Sequence, residues 1–93
     1  MSDFPFKETK LSNMLIREFS KDVDSAELVW HQDREDREIV ILEGTGWKLQ
    51  MDNDIPRDMI PGKTYRIPKY TFHRIWKGDS DLVLEVIKKG LDK

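Results

Sequence analysis

Apolar and polar residues alternate with a period of two through much of the chain, which predicts β-strands with one buried face. The alternation is clearest in residues 47–52, where every second side chain is large and apolar. A last strand is predicted over residues 82–87, with Leu82, Leu84 and Val86 on one face. Residues 37–43 are instead apolar on both faces, which indicates a strand that is covered on both sides. Trp47 lies on the apolar face of its segment and is predicted to belong to the core.

Further strands are predicted over residues 27–33, 64–67 and 72–76, whereas residues 13–19 fit either a strand or a short helix. Turn-forming residues separate these segments about every eight to twelve positions, and the total is about seven or eight short strands with hardly any helix. Such spacing is typical of an all-β protein that folds as a small antiparallel β-barrel or jelly roll.

The two ends of the chain lack this alternation. Residues 1–12 are predicted to form an N-terminal arm and residues 88–93 a C-terminal tail, within a single domain over residues 1–93. The arm carries Phe4 and Phe6, which we expect to dock either on their own barrel or on a partner subunit. The start at Met1 and the short length lead us to expect a complete small protein that forms a homodimer.

Charge and composition exclude several classes of function. The 16 basic and 18 acidic residues are interleaved and give a net charge of -2, which argues against a nucleic-acid partner. The chain has no cysteine, and we find neither a signal peptide nor a stretch apolar enough for a membrane helix. We therefore expect a cytoplasmic protein without a membrane partner.

Two short motifs contain both histidines of the chain. The first runs from His31 to Gly44 and ends in the sequence Ile-Leu-Glu-Gly, and the second runs from Gly62 through Pro68 to His73. In this order and spacing the two motifs resemble those of the cupin superfamily, with Tyr70 replacing a glycine of the second. The resemblance covers residues 31–76 and implies the double-stranded β-helix of a small cupin.

The resemblance also implies a metal site. In metal-binding cupins, histidines and a carboxylate of the two motifs hold a divalent ion, and the matching positions here are His31, Asp33 and His73. Asp33 stands where the family has a second histidine. Two histidines and one carboxylate suit Fe(II), and the same set also suits Mn, Ni or Zn.

The position of the motif glutamate is ambiguous. Counting forward from His31 places Glu38 there as a fourth ligand, whereas counting back from Gly44 places Arg37 there. Because successive side chains of a strand point to opposite faces, only one of the two can face the pocket. Glu38 would add a ligand, whereas Arg37 would repel a cation.

Two functions remain open on this evidence. In the first, the metal set serves a small-molecule enzyme, an oxygenase, isomerase or lyase. In the second, a barrel without metal binds a small polar or anionic ligand, with Arg37, Arg66, Tyr65 and Tyr70 as candidate binding residues. The doubtful glutamate and the lack of a segment that could form a lid favour the second function.

Overall fold

The computed structural model describes residues 5–89. This part of the chain contains eight β-strands and one turn of 3₁₀ helix, connected by loops. In chain order the strands are β1 Lys7–Lys10, β2 Leu15–Phe19, β3 Asp36–Glu43, β4 Lys48–Met51, β5 Arg57–Asp58, β6 Thr64–Ile67, β7 His73–Trp76 and β8 Leu82–Lys89. The 3₁₀ turn, Ser25–Glu27, lies between β2 and β3.

The strands form two antiparallel sheets. One has five strands in the order β1-β2-β8-β3-β6, and the other has three in the order β5-β4-β7. The chain passes repeatedly from one sheet to the other, as in a jelly roll. The predicted all-β jelly-roll class is confirmed, although within residues 5–89 the two sheets do not join into a closed barrel.

The core lies between the sheets and is built from the apolar positions of the alternating segments. β8 contributes Leu82, Leu84 and Val86, all nearly inaccessible to solvent. The predicted core position of Trp47 is confirmed, because its side chain has no exposed surface and its indole nitrogen donates to the carbonyl oxygen of Ser80 at 2.7 Å. The other buried apolar residues are Leu15, Phe19, Leu28, Ile39, Ile41, Leu49, Met59 and Ile67.

One predicted strand is wrong. Residues 27–33 do not form a strand. Glu27 belongs to the 3₁₀ turn that Asp24 caps by accepting a hydrogen bond from the backbone nitrogen of Ala26 at 3.0 Å. Of the residues that follow, only His31 pairs with a strand, through an isolated β-bridge. Residues 13–19, left open between strand and helix, contain strand β2.

The predicted N-terminal arm contains a strand. β1 pairs with β2 along its whole length, and the ring of Phe6 packs 5.2 Å from that of Phe19, so Phe6 docks on its own chain. Phe4 and the last residues of the predicted tail, 90–93, lie outside the described residues, while Lys88 and Lys89 continue β8. Among residues 5–89 we find no helix with the length and hydropathy of a membrane span.

A candidate metal site on the wall of a cavity

The backbone brings the two histidines together. His31 and His73 form an isolated antiparallel bridge, in which each backbone nitrogen donates to the carbonyl oxygen of the other, at 3.0 and 2.9 Å. Their rings lie on the same side of the bridge, with centroids 4.3 Å apart. Residues that are more than forty positions apart in the sequence thus share one site, as their motif positions imply.

Backbone carbonyls fix the tautomer of both rings. Nδ1 of His31 lies 3.1 Å from the carbonyl oxygen of Val29, and Nδ1 of His73 lies 2.8 Å from that of Thr71. Because a carbonyl can only accept, each Nδ1 carries the hydrogen and each Nε2 of the neutral ring carries a lone pair. Both histidines therefore present Nε2 as a donor atom for a metal.

His73 favours the neutral form that a metal requires. Burial of the ring lowers the pKa of His73, and this effect outweighs the opposing hydrogen bond to the carbonyl of Thr71. The nearby His31 and Arg37 lower the pKa further, whereas the carboxylate of Asp33 raises it. A buried imidazole that resists protonation keeps its lone pair available near neutral pH.

Asp33 completes the set. Its Oδ2 lies 3.5 Å from Nε2 of His73, is buried, and has no hydrogen-bond partner in the part of the chain that the structure describes. The ligand atoms of His31, Asp33 and His73 all lie within 4.8 Å of one another. Two imidazole nitrogens and one carboxylate oxygen are a donor set that suits divalent iron, manganese, nickel or zinc, so these residues fit such an ion.

Arg37, and not Glu38, faces this set. The Arg37 guanidinium lies 3.3 Å from Oδ1 of Asp33 and donates to Glu35 at 2.7 Å. Glu38 lies on the opposite face of β3, 3.5 Å from Lys89, so the structure removes it from the predicted ligand set. Glu35 escaped sequence analysis because it lies in a run of charged residues, yet it is buried beside Arg37.

The set lies on the wall of a cavity between the two sheets, with a volume of about 430 Å³. Most of the wall is apolar and comes from both sheets. The polar part of the lining is Arg17, Glu27, His31, Asp33, Arg37 and His73, and the apolar part is Pro5, Phe6, Phe19, Leu28, Val29, Ile39, Leu49, Ile67, Ile75, Leu84 and Val86.

Neither a protein-family model nor a curated protein matches this sequence. Solved structures do match it. A DMSP lyase superposes with a TM-score of 0.72 over 84% of this chain at 15% identity, and cobalt-bound HppE with a TM-score of 0.71 over 90% at 14% identity. KdgF from Halomonas sp. matches 95% of this chain with a TM-score of 0.68 and 17% identity. These neighbours are cupin-fold proteins.

The chain has the cupin fold. It spans 83% of KdgF, but only 38% of the lyase and 53% of the cobalt-bound HppE structure. The cupin motifs also account for one unusual backbone conformation. Tyr70, which replaces the motif glycine, has a φ of 63°, in the left-handed region that glycine adopts most readily.

The other predicted ligand-binding residues lie outside this cavity. Tyr70 is 59% exposed, and Arg66 extends into solvent beside Asp36. The hydroxyl of Tyr65 is engaged with backbone groups, since it accepts from the nitrogen of Ile60 at 2.9 Å and donates to the oxygen of Asp58 at 2.7 Å. Of the four predicted ligand-binding residues, only Arg37 therefore lies in the cavity wall.

Besides Glu27 in the 3₁₀ turn, sequence analysis missed a charged residue of the cavity on β2, Arg17. Arg17 shares one face of β2 with Leu15 and Phe19, whose side chains are both buried, and it lines the cavity. Strand parity would have placed it there, because residues two apart share a face. The uncertainty between strand and helix over residues 13–19 hid this signal.

Proposed function

We propose that this cupin binds one divalent metal ion through His31, Asp33 and His73 and presents it to a small molecule in the adjacent cavity. One observation carries the proposal. The buried Oδ2 of Asp33 faces Nε2 of His73, and with the neutral tautomer both atoms are hydrogen-bond acceptors. Two facing acceptors in a buried site repel each other, and a cation bound between them removes that repulsion.

The charges around the site support a cation. With both rings neutral, Asp33 and Glu35 carry two negative charges and Arg37 carries one positive charge, which leaves an excess of one negative charge. Arg37 also holds Oδ1 of Asp33, so it orients the carboxylate with Oδ2 toward the histidines. In this arrangement Arg37 positions the carboxylate of Asp33, while its own positive charge opposes the ion.

A bound metal would supply Lewis-acid chemistry, or redox chemistry if it were iron, at coordination positions that the protein leaves open. The chain's own residues contribute the remaining requirements. Apolar side chains such as Leu49, Ile75 and Leu84 exclude water from the cavity next to the ion. Among the structural neighbours, HppE is described with Fe(II) and with Co(II), which supports a divalent metal in this fold. The enzyme class that we propose is a metal-dependent oxygenase, isomerase or lyase.

A second candidate is the binding of a small anionic ligand without any metal, which is favoured by the guanidinium of Arg37 in the cavity wall. That guanidinium, however, already contacts two carboxylates, those of Asp33 and Glu35. Because its charge is balanced within the chain, we place metal binding first.

The test is metal content and metal affinity. Untagged protein, purified without chelators, is analysed for metals, and chelator-treated protein is then titrated with zinc, iron(II) and manganese by calorimetry. We expect near-stoichiometric metal in the wild type and at least about tenfold weaker binding in Asp33→Asn, which keeps the shape of the side chain but removes its charge. Glu38→Gln is the matched control and should bind like the wild type, because Glu38 lies on the other face of β3.

Wild-type protein that contains no metal and binds none in the titration would refute the proposal and leave binding without metal. Equal losses in Asp33→Asn and Glu38→Gln would refute the assigned ligands. The homodimer and the cytoplasmic location stay predictions, which light scattering and cell fractionation can check.

A further inference from the structure

We infer that the cavity takes a carboxylate with an apolar chain, and that Arg17 binds the carboxylate. The inference rests on the proposed function, because it names the class of molecule for the same cavity. It starts from the placement of a charged residue where the fold offers an apolar position.

Arg17 occupies an inward-facing position of β2. Its neighbours on that face, Leu15 and Phe19, are only 6% and 7% exposed, and its partner across the sheet is the buried Leu84. The side chain of Arg17 itself is 18% exposed and lines the cavity. Holding a guanidinium in such a place costs desolvation energy that an apolar residue would not incur, so a binding role explains the choice better than packing does.

The guanidinium is held in one orientation with donors to spare. Its Nε donates to Oε1 of Glu8 at 2.7 Å, and its plane lies 4.4 Å over the ring of Phe6. Arginine has five N–H donors, and Glu8 takes one of them. Within residues 5–89 we find no hydrogen bond from Nη1 or Nη2 of Arg17, which form the edge that binds a carboxylate with two parallel hydrogen bonds.

The separation between Arg17 and Arg37, which contacts Asp33 of the metal set, indicates why the ligand needs an apolar chain. Arg17 pairs with Leu84 on β8, and Leu84 pairs with Ile41 on β3. Ile41 is four residues from Arg37 along the same strand. Two strand spacings across and four residues along place the backbones of Arg17 and Arg37 about 16 Å apart. The wall around this span is lined by apolar side chains such as Ile39. A molecule anchored at Arg17 therefore reaches the metal set through an apolar body.

The experiment compares two variants that break the same ion pair. Sodium hexanoate is titrated by calorimetry into chelator-treated wild type, Arg17→Gln and Glu8→Gln, so that no metal competes for the carboxylate. We expect Arg17→Gln to weaken binding about ten- to a hundredfold, the loss typical of a charge-assisted hydrogen-bonded contact. Glu8→Gln should bind at least as tightly as the wild type, because it removes a competing carboxylate. If Arg17 only stabilised the fold, both variants would lose binding equally.

Two controls keep the test decisive. Arg66→Gln removes an exposed arginine outside the cavity and should leave hexanoate binding unchanged. Hexanol should bind the wild type more weakly than hexanoate does, a comparison that needs no variant and holds even if Arg17→Gln fails to fold. Equal affinity for hexanoate and hexanol, or no binding of butanoate, hexanoate and octanoate by the wild type, would overturn the inference. Since these titrations use metal-free protein, they fail or succeed independently of the metal proposal.

Discussion

Replacing Arg37 with glutamine should have opposite effects on the stability of the metal-free protein and on its affinity for metal. Arg37 contacts Asp33 and Glu35, and the three side chains are only 14%, 10% and 9% exposed. Without the guanidinium, the carboxylates of Asp33 and Glu35 would lie in a poorly solvated site with no positive charge from Arg37 to balance them. The same loss would remove a positive charge beside the proposed ion.

The size of the first effect follows from this burial. Removing one partner of a buried ion pair costs about 3–5 kcal/mol, and we expect about 3 kcal/mol because the site keeps some contact with water. For a domain of this length, 1 kcal/mol lowers the melting temperature by about 4–8 °C, so the variant should melt about 12–24 °C below the wild type. Arg66→Gln, which breaks an exposed pair with Asp36, should change stability by less than about 1 kcal/mol.

The second effect is measured by titrating zinc into the same proteins. We expect the glutamine variant to bind zinc about tenfold more tightly, a gain of about 1.4 kcal/mol, and therefore to recover part of its lost stability when zinc is added. A double variant, Arg37→Gln with Glu35→Gln, should be more stable than the single variant without metal. Arg37→Gln with the melting temperature of the wild type, or with a zinc affinity no higher than that of the wild type, would refute this account of Arg37.

Two further predictions concern stability in the absence of metal. A Cβ at Gly78 would lie 2.3 Å from the carbonyl oxygen of Thr45 and 2.5 Å from Trp47, so Gly78→Ala should cost about 3 kcal/mol or more in urea unfolding. Gly62→Ala should cost only about 1–2 kcal/mol of backbone strain, because the φ of Gly62 is +90° but no atom lies within 4 Å; equal costs would contradict the packing argument. Burial lowers the pKa of His73, so below about pH 6.5 the unfolded chain binds more protons than the folded one. The contribution of His73 to the free energy of unfolding should therefore be constant above that pH and should fall as the pH decreases toward the lowered pKa. A wild type whose stability does not fall in this pH range, or His73→Gln with the same dependence on pH, would contradict this prediction.

The fold was predictable because short apolar or alternating segments, such as residues 37–43 and 47–52, are separated by turn-forming residues at regular intervals. Residues 82–87 lie within β8 as predicted, and Leu82, Leu84 and Val86 are the buried residues there. The strand predicted over residues 27–33 is absent because Glu27 belongs to the turn that Asp24 caps and only His31 of the following residues pairs with a strand. Such pairing depends on distant residues and is not visible in the local sequence. β5 is only two residues long, too short for any pattern to indicate it.

The sequence predicted which residues form the candidate site, but it did not predict which face of β3 lines the cavity. Motif spacing paired His31 with His73, and the structure brings them together. The choice between Arg37 and Glu38 stayed open because β3 is apolar on both faces, so its sequence does not show which face lines the cavity. The packing of the opposite sheet determines which residue faces the cavity. Ile39, on the same face as Arg37, is buried, whereas Glu38 lies on the other face beside Lys89.

The carbonyl groups that hold the two histidine rings have a consequence for how such sites change during evolution. Each Nδ1 is held by the carbonyl of the residue two positions earlier, Val29 or Thr71, and every amino acid has that group. Mutations at these supporting positions can therefore accumulate without disturbing the donor atoms, as long as the backbone keeps its path. Related sites would then share no recognisable supporting side chains, and a search for them should compare backbone geometry rather than residue identity.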